Sequence, residues 1–145
     1  MILADEGATR AAGARLAAAL QGGDAIALVG DLGAGKTTFV AGLVDALGGG
    51  TAHSPTFALI NEYPGGRLVI WHVDLYRVER AAELPELGLD DLVGDPRGVV
   101  IVEWADRFDV LPKDHLRVEL AHDPAGRTLT AAGTGPRGGA LARAL

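Results

Sequence analysis

Short apolar runs alternate with longer segments of helical pattern along the chain. Three of these runs are almost entirely apolar, as in strands that a sheet buries on both faces. They are residues 25–29, 68–73 and 99–102. Residues 36–47 repeat apolar positions at helical spacing, and the alanine-rich residues 9–21 predict an earlier helix with Thr9 as its N-cap. Strands that alternate with helices predict an α/β fold.

Two hairpins are predicted beside these strands. A glycine-containing turn joins a strand at residues 57–62 to the apolar run at 68–73, and an antiparallel pair of this kind makes the sheet mixed. A second turn joins strands at residues 115–120 and 127–130. We therefore expect a mixed, mostly parallel central sheet flanked by helices.

Three segments lack a long periodic pattern. Pro55 disfavours a helix before it, so residues 51–57 are predicted to form a loop. The acidic residues 79–95 are predicted to form two short helical pieces with a solvated face, and a partner surface is the alternative. The glycine-rich residues 133–145 predict a flexible tail. No linker divides the chain, so we expect a single domain over residues 1–145.

A glycine-rich sequence separates the first apolar run from the helix that follows it. Residues 30–38 read Gly-Asp-Leu-Gly-Ala-Gly-Lys-Thr-Thr and match the phosphate-binding P-loop pattern G-x-x-x-x-G-K-[ST]. Its glycines let the backbone curl until the N–H groups face a phosphate. Lys36 is predicted to reach the outer phosphates of a nucleotide, and Thr37 to offer its hydroxyl to Mg²⁺. The predicted nucleotide-binding residues are Asp31, Leu32, Gly33, Ala34, Gly35, Lys36, Thr37 and Thr38.

A chance match is the alternative, because the chain holds 21 glycines in 145 residues. Lysine argues against chance, since Lys113 is the only other lysine among 13 basic residues. The apolar run before the motif and the helix after it also supply the context that a P-loop requires. We therefore expect a P-loop NTPase fold.

Two of the apolar runs end in a carboxylate, Asp74 after residues 68–73 and Glu103 after residues 99–102. In an open α/β sheet the ligand binds beyond the carboxyl ends of the strands, where the P-loop also lies. Either acid is therefore a candidate ligand of Mg²⁺, with the other holding a water molecule. The alternative for each acid is a side chain that faces solvent or caps a turn.

Three more residues lie close to these acids in sequence. His72 shares one side of its predicted strand with Asp74. Arg77 is the best placed arginine for stabilising transition-state charge, and its alternative is an ion pair with the acidic segment. Trp104 adjoins Glu103, with a core or rim aromatic as the alternative. The chain lacks the [NT]-K-x-D motif of guanine-specific proteins, so we expect an adenine nucleotide.

Composition narrows the classes of function. The net charge of −6 without a cluster of basic residues disfavours a general nucleic-acid binder. The absence of cysteine excludes thiolate chemistry and suits a reducing compartment. The first twenty residues carry four charged side chains and no later apolar run is long, so we expect a cytoplasmic protein without membrane contact. Three functions stay open: ATP hydrolysis, phosphorylation of a small molecule, and nucleotide binding without hydrolysis.

Four motifs follow one another along the chain: residues 30–38, Ser-Pro-Thr-Phe at 54–57, His-Val-Asp-Leu-Tyr-Arg at 72–77 and Glu-Trp at 103–104. In this order and spacing they resemble the bacterial TsaE (YjeE) family. The resemblance implies a P-loop ATPase that supports the threonylcarbamoyl modification of adenosine beside the anticodon of tRNA. It also implies partners similar to TsaB and TsaD, contact with tRNA only through them, and low ATPase activity without them.

The resemblance also implies roles for individual residues, with ATP and Mg²⁺ as the cofactors. Lys36 would bind phosphates as a catalytic residue. Thr37 and Glu103 would hold Mg²⁺, which decides between the two acids in favour of Glu103 on the metal. Asp74 would be a catalytic or water-holding acid.

A switch loop completes the implied site. The segment formed by Ser54, Pro55 and Thr56 resembles a loop that senses the bound nucleotide. Trp104 is expected near the site because it adjoins Glu103.

Overall fold

The computed structural model describes residues 1–50, 53–56, 59–64 and 66–145, and of residues 53–56 it describes the backbone alone. Eight strands and five α-helices are found in this part of the chain. The strands are β1 (Ile2–Leu3), β2 (Ala25–Val29), β3 (His53–Thr56), β4 (Ile60–Tyr63), β5 (Val69–Asp74), β6 (Gly98–Glu103), β7 (Leu116–Asp123) and β8 (Gly126–Gly133). The helices are α1 (Glu6–Ala19), α2 (Lys36–Ala46), α3 (Leu84–Leu87), α4 (Leu89–Leu92) and α5 (Pro136–Arg143).

All eight described strands form one sheet in the order β1-β8-β7-β2-β6-β5-β4-β3. The four central strands, β7, β2, β6 and β5, pair in parallel. The outer strands pair antiparallel, including the hairpins β4–β5 and β7–β8. The predicted mixed sheet and both predicted hairpins are therefore confirmed, and the parallel part is confined to the centre, where helices join the strands.

The sheet buries a different cluster on each face. The larger cluster lies under α1, α2 and α5 and includes Leu16, Ile26, Phe39 and Leu43. The smaller cluster packs side chains of β5 and β6 against α3 and α4 and includes Trp71. The two predicted helical pieces of the acidic segment are thus observed, and their leucines are the residues that they bury.

Helices α1 and α2 cross at a distance that only glycine permits. A Cβ atom added to Gly13 would lie 2.2 Å from the carbonyl oxygen of Phe39. One added to Gly42 would lie 2.2 Å from the carbonyl oxygen of Arg10. Because core packing leaves no room to relieve such overlaps cheaply, this crossing sets where α2 lies on the sheet.

The start of α1 and the structure of residues 53–56 differ from prediction. Asp5, rather than Thr9, is the N-cap of α1, and its carboxylate accepts a hydrogen bond from the backbone N–H of Ala8 at 2.8 Å. Thr9 lies inside the helix and is buried. Both residue types cap helices well, so local sequence does not choose between them. Residues 53–56, predicted as loop, form β3 at the edge of the sheet.

The prediction of a flexible tail is wrong for residues 136–143, which form α5. Arg137 donates from Nε and Nη2 to the buried carboxylate of Asp24 at 2.8 Å each. The carboxylate of Asp114 accepts from the backbone N–H groups of Arg137 and Gly138 at the start of the helix. These contacts join residues far apart in sequence, so no local pattern predicts them.

We expect Arg137→Met to destabilise the fold by about 2–3 kcal/mol, because it leaves the carboxylate of Asp24 buried without its charged partner. Urea unfolding followed by circular dichroism measures the change. Arg143→Met is the matched control, since Arg143 is an exposed residue of the same helix, and it should change stability by less than about 0.5 kcal/mol. Equal effects of the two substitutions would contradict the role of the Arg137–Asp24 pair.

Candidate functional site

The loop between β2 and α2 has the backbone geometry that its sequence predicts. Gly33 and Gly35 adopt φ values of 79° and 105°, which residues with a Cβ atom rarely reach. Gly35 is the N-cap of α2 and provides no side chain to bind the first N–H groups of the helix. A helix start of this kind offers N–H groups and the positive end of the helix dipole to an anion.

A cavity of about 740 Å³ opens over this loop. It is lined by most of the predicted binding residues, by both predicted acids and by two residues for which no role was predicted. The lining residues are Glu6, Gly30, Asp31, Leu32, Gly33, Gly35, Lys36, Thr37, Thr38, Asp74, Tyr76, Glu103 and Trp104. The fold therefore brings the separate sequence motifs to one opening.

Three predicted residues or groups are placed differently. Ala34 is fully buried and packs in the core beneath the loop. Arg77 is exposed and does not line this cavity. The side chains of Ser54, Pro55 and Thr56 lie outside the described part of the structure, so the switch-loop interpretation stays a prediction.

The two acids occupy equivalent ends of neighbouring parallel strands. Asp74 of β5 and Glu103 of β6 are direct partners in the strand register. They differ in distance from the P-loop, because β6 pairs with β2 whereas β5 is one strand further away. Asp74 Oδ1 accepts a hydrogen bond from the backbone N–H of Tyr76 at 2.9 Å, so this acid caps the turn after β5.

Glu103 lies between two nitrogen donors. Its Oε1 is 2.9 Å from Nζ of Lys36, and its Oε2 is 2.6 Å from Nε2 of His72. Burial raises the pKa of the Glu103 carboxyl, but the hydrogen bonds from His72 and Lys36 outweigh it and hold that pKa below its ordinary value. Glu103 is therefore a carboxylate at neutral pH, with Lys36 as its counterion.

Trp104 ends β6 with an unusual backbone conformation. Its φ of 62° is the only positive value among the described residues other than glycine. This turn directs the indole to Tyr76, with ring centroids 5.3 Å apart. Arg107 donates to the carbonyl oxygen of Tyr76 at 2.7 Å and so ties the loop after β6 to the loop after β5. Such a conformation is costly for a bulky residue, which makes Trp104 a candidate functional residue.

Tyr76 and Glu6 are the lining side chains that the sequence left without a role. Tyr76 lies two residues after Asp74, and its contact with Trp104, which is distant in sequence, places it at the opening. Glu6 is the first residue of α1, which begins after Asp5 rather than after the predicted N-cap Thr9, and it lies at the opening. A better choice of N-cap would have placed Glu6 in the first turn of the helix, although not over the P-loop.

The oxygen donors at this opening fit Mg²⁺. Thr37 offers a hydroxyl at the start of α2, and Glu103 offers a carboxylate at the end of the adjoining strand. Mg²⁺ binds oxygen ligands and commonly takes only one or two from the protein, with water and phosphate oxygens as the others. Thr37 and Glu103 could therefore supply the protein ligands of such an ion.

Comparison with known proteins agrees with this fold. A family model described as threonylcarbamoyl adenosine biosynthesis protein TsaE matches residues 3–129. The tRNA threonylcarbamoyladenosine biosynthesis protein TsaE of Bacillus subtilis is 41% identical over 130 residues, which cover 86% of this chain and 80% of that protein. The protein of the same name in Nostoc sp. is 40% identical over 130 residues, which cover 87% of this chain and 80% of that protein.

A solved structure resembles the whole fold. The crystal structure of YdiB from Bacillus subtilis matches with a TM-score of 0.78 and 33% sequence identity, over 96% of this chain and 87% of that one. The predicted P-loop fold is thereby confirmed, and the matched residues include every motif that carried the resemblance. This chain belongs to the TsaE family.

Proposed function

We propose that this chain binds ATP with Mg²⁺ and hydrolyses it in support of the threonylcarbamoyl modification of adenosine in tRNA. One observation carries the proposal: in a member of the TsaE family, Lys36, Thr37 and Glu103 line the same opening at the start of α2. A phosphate-binding loop beside a hydroxyl and a carboxylate is the arrangement that P-loop NTPases use. The names of the relatives supply the pathway.

Each side chain then has a role that follows from its position. The N–H groups of the loop and the ammonium of Lys36 bind the β- and γ-phosphates. Thr37 and Glu103 hold Mg²⁺, which neutralises charge on the phosphate oxygens when it is bound. Asp74 lies at the next strand end, where it orients the attacking water. Trp104 lines the opening, where its ring would limit the entry of bulk water.

Lys36 must change partners for this function. In the structure its ammonium pairs with Oε1 of Glu103. Phosphate oxygens would replace that carboxylate as the partner of Lys36, and Oε1 of Glu103 would then be available to hold Mg²⁺. Glu103 is thus a competitor of the nucleotide in the absence of Mg²⁺ and a ligand in its presence.

A protein partner is supported by the surface around the opening. Leu32, Tyr76 and Trp104 line the cavity and have exposed fractions of 97%, 60% and 48%. Large apolar side chains that are exposed together mark contact surfaces more often than free surface. We propose that proteins similar to TsaB and TsaD cover this face, and that contact with tRNA occurs only through them.

The cellular setting is proposed as the cytoplasm. The chain contains no cysteine, as suits a reducing compartment. Among the described residues, no helix has the length and apolar character that crossing a membrane requires.

Lys36→Ala should weaken ATP binding by about 10- to 100-fold. A hydrogen bond to a charged group contributes about 1.5–3 kcal/mol, and 1.4 kcal/mol corresponds to a factor of ten. Calorimetric titration with ATP measures the affinity. The matched control is Lys113→Ala, which removes the other lysine at an exposed position and should leave the affinity within about two-fold. Unchanged affinity in Lys36→Ala would end the P-loop interpretation.

Glu103→Gln should bind ATP more tightly than the unmodified chain when Mg²⁺ is absent, by a few-fold, because Lys36 loses its competing carboxylate. The same variant should lose most of the gain in affinity that Mg²⁺ brings, since an amide is a poor ligand for this ion. Titrations with and without Mg²⁺ separate the two effects. Weaker binding in the absence of Mg²⁺ would show that Glu103 does not compete for Lys36.

ATP hydrolysis should rise at least about ten-fold when the TsaB-like and TsaD-like proteins of the same organism are added. Steady-state phosphate release with each combination of proteins measures this. Asp74→Ala and Glu103→Ala should reduce the stimulated rate by about 100-fold, as loss of a positioned catalytic group does. Equal rates with assembled partners would contradict coupling, and consumption of ATP that requires a metabolite and phosphorylates it would indicate a kinase instead.

A further inference from the structure

The two oxygens of Glu103 are held by different elements of the fold. Lys36 of α2 binds Oε1, and His72 of β5 binds Oε2. The three side chains are largely buried, with exposed fractions of 16% for Lys36, 12% for His72 and 13% for Glu103. The contact with Lys36 has a role in the proposed function, whereas the contact with His72 has none so far.

The direction of the second hydrogen bond follows from the charge on Glu103. A carboxylate has no proton to donate and acts only as an acceptor. Nε2 of His72 therefore carries the proton and donates it to Oε2 at 2.6 Å. A neutral imidazole with its proton on Nε2 is sufficient for this bond, so the contact requires no change in the charge of His72.

His72 sits on a part of the sheet that is tied on both sides. Its strand pairs with β4 from Ile70 to Val73 and with β6 from Val69 to Asp74, without a break in either register. The neighbouring Trp71 and Val73 point into the core on the other face. The imidazole therefore approaches Glu103 from a backbone that is independent of α2 and of the P-loop.

This arrangement matters when Lys36 leaves Glu103. Under the proposed function, on which this inference rests, Lys36 moves to the phosphates. A glutamate side chain without another partner would then have several rotamers available, and ordering it again costs conformational entropy. The bond from His72 stays, so Oε2 remains fixed while Oε1 is free.

We propose that His72 is a positioning residue for the metal site. It anchors Oε2 of Glu103 after Lys36 has transferred to the phosphates, and so presents Oε1 to Mg²⁺. The neighbouring acid is less suited to this partner, because Asp74 Oδ1 is already bonded to the backbone of Tyr76.

Three substitutions of His72 in the full chain test this role. His72→Leu removes the donor, whereas His72→Gln keeps an amide N–H close to the position of Nε2. His72→Asn is the matched control for polarity, because it also carries an amide but is too short to reach Oε2. Calorimetric titration with the non-hydrolysable analogue AMP-PNP, at a series of Mg²⁺ concentrations, measures nucleotide affinity and the Mg²⁺ concentration of half-maximal effect.

We expect His72→Leu and His72→Asn to raise that Mg²⁺ concentration by about ten-fold or more, as loss of a side chain that orients a metal ligand does. Affinity for AMP-PNP without Mg²⁺ should stay within about three-fold of the unmodified chain. His72→Gln should restore most of the Mg²⁺ response. If His72→Leu does not unfold cooperatively, the difference in Mg²⁺ response between His72→Asn and His72→Gln tests the role of His72.

Three results would overturn the inference. One is an unchanged Mg²⁺ response in His72→Leu or His72→Asn. Another is an equal loss of affinity with and without Mg²⁺, which would indicate a role in the fold alone. The third is an unmodified chain that shows no Mg²⁺ response, and this result would contradict the proposed metal role of Glu103 as well. The first two leave the proposed function intact, so the two failures can be told apart.

Discussion

The central position of β2 is the constraint on which the candidate site depends. β2 lies between β6 and β7 and pairs in parallel with both. Parallel neighbours end at the same edge of a sheet, so the loop after β2 meets the acid at the end of β6. The close crossing of α1 and α2 at Gly13 and Gly42 then determines where the amino end of α2 stands over that edge.

Charge balance stabilises this edge of the sheet. A charged group that is largely withdrawn from water requires a partner, and here Lys36 and Glu103 serve each other. Under the proposed function, a phosphate replaces the carboxylate as the partner of Lys36, and a metal ion replaces Lys36 as a partner of Glu103. Lys36 and Glu103 would then each have a new partner of opposite charge. Binding of the nucleotide and binding of the metal ion would therefore depend on each other.

Local sequence predicted the fold where a single segment carries the signal. β2 has the predicted bounds, and β5 and β6 differ from prediction by one residue at each end, because strands buried on both faces must be continuously apolar. The prediction failed for α5, in which a proline and two adjacent glycines precede the better helix formers of the last turn. Its contacts with Asp24 and Asp114 supply the stabilisation that local propensity lacks.

The sequence by itself determined the P-loop, the acids at the strand ends and, through four motifs, the family. These depend on residue type and short spacing, which the chain displays directly. Only the tertiary structure decided that Glu103 faces Lys36 and that His72 holds its second oxygen, since these contacts span 31 or more residues. Both acids end apolar strands alike, and the order of strands in the sheet is what sets Glu103 beside β2 and Asp74 one strand away.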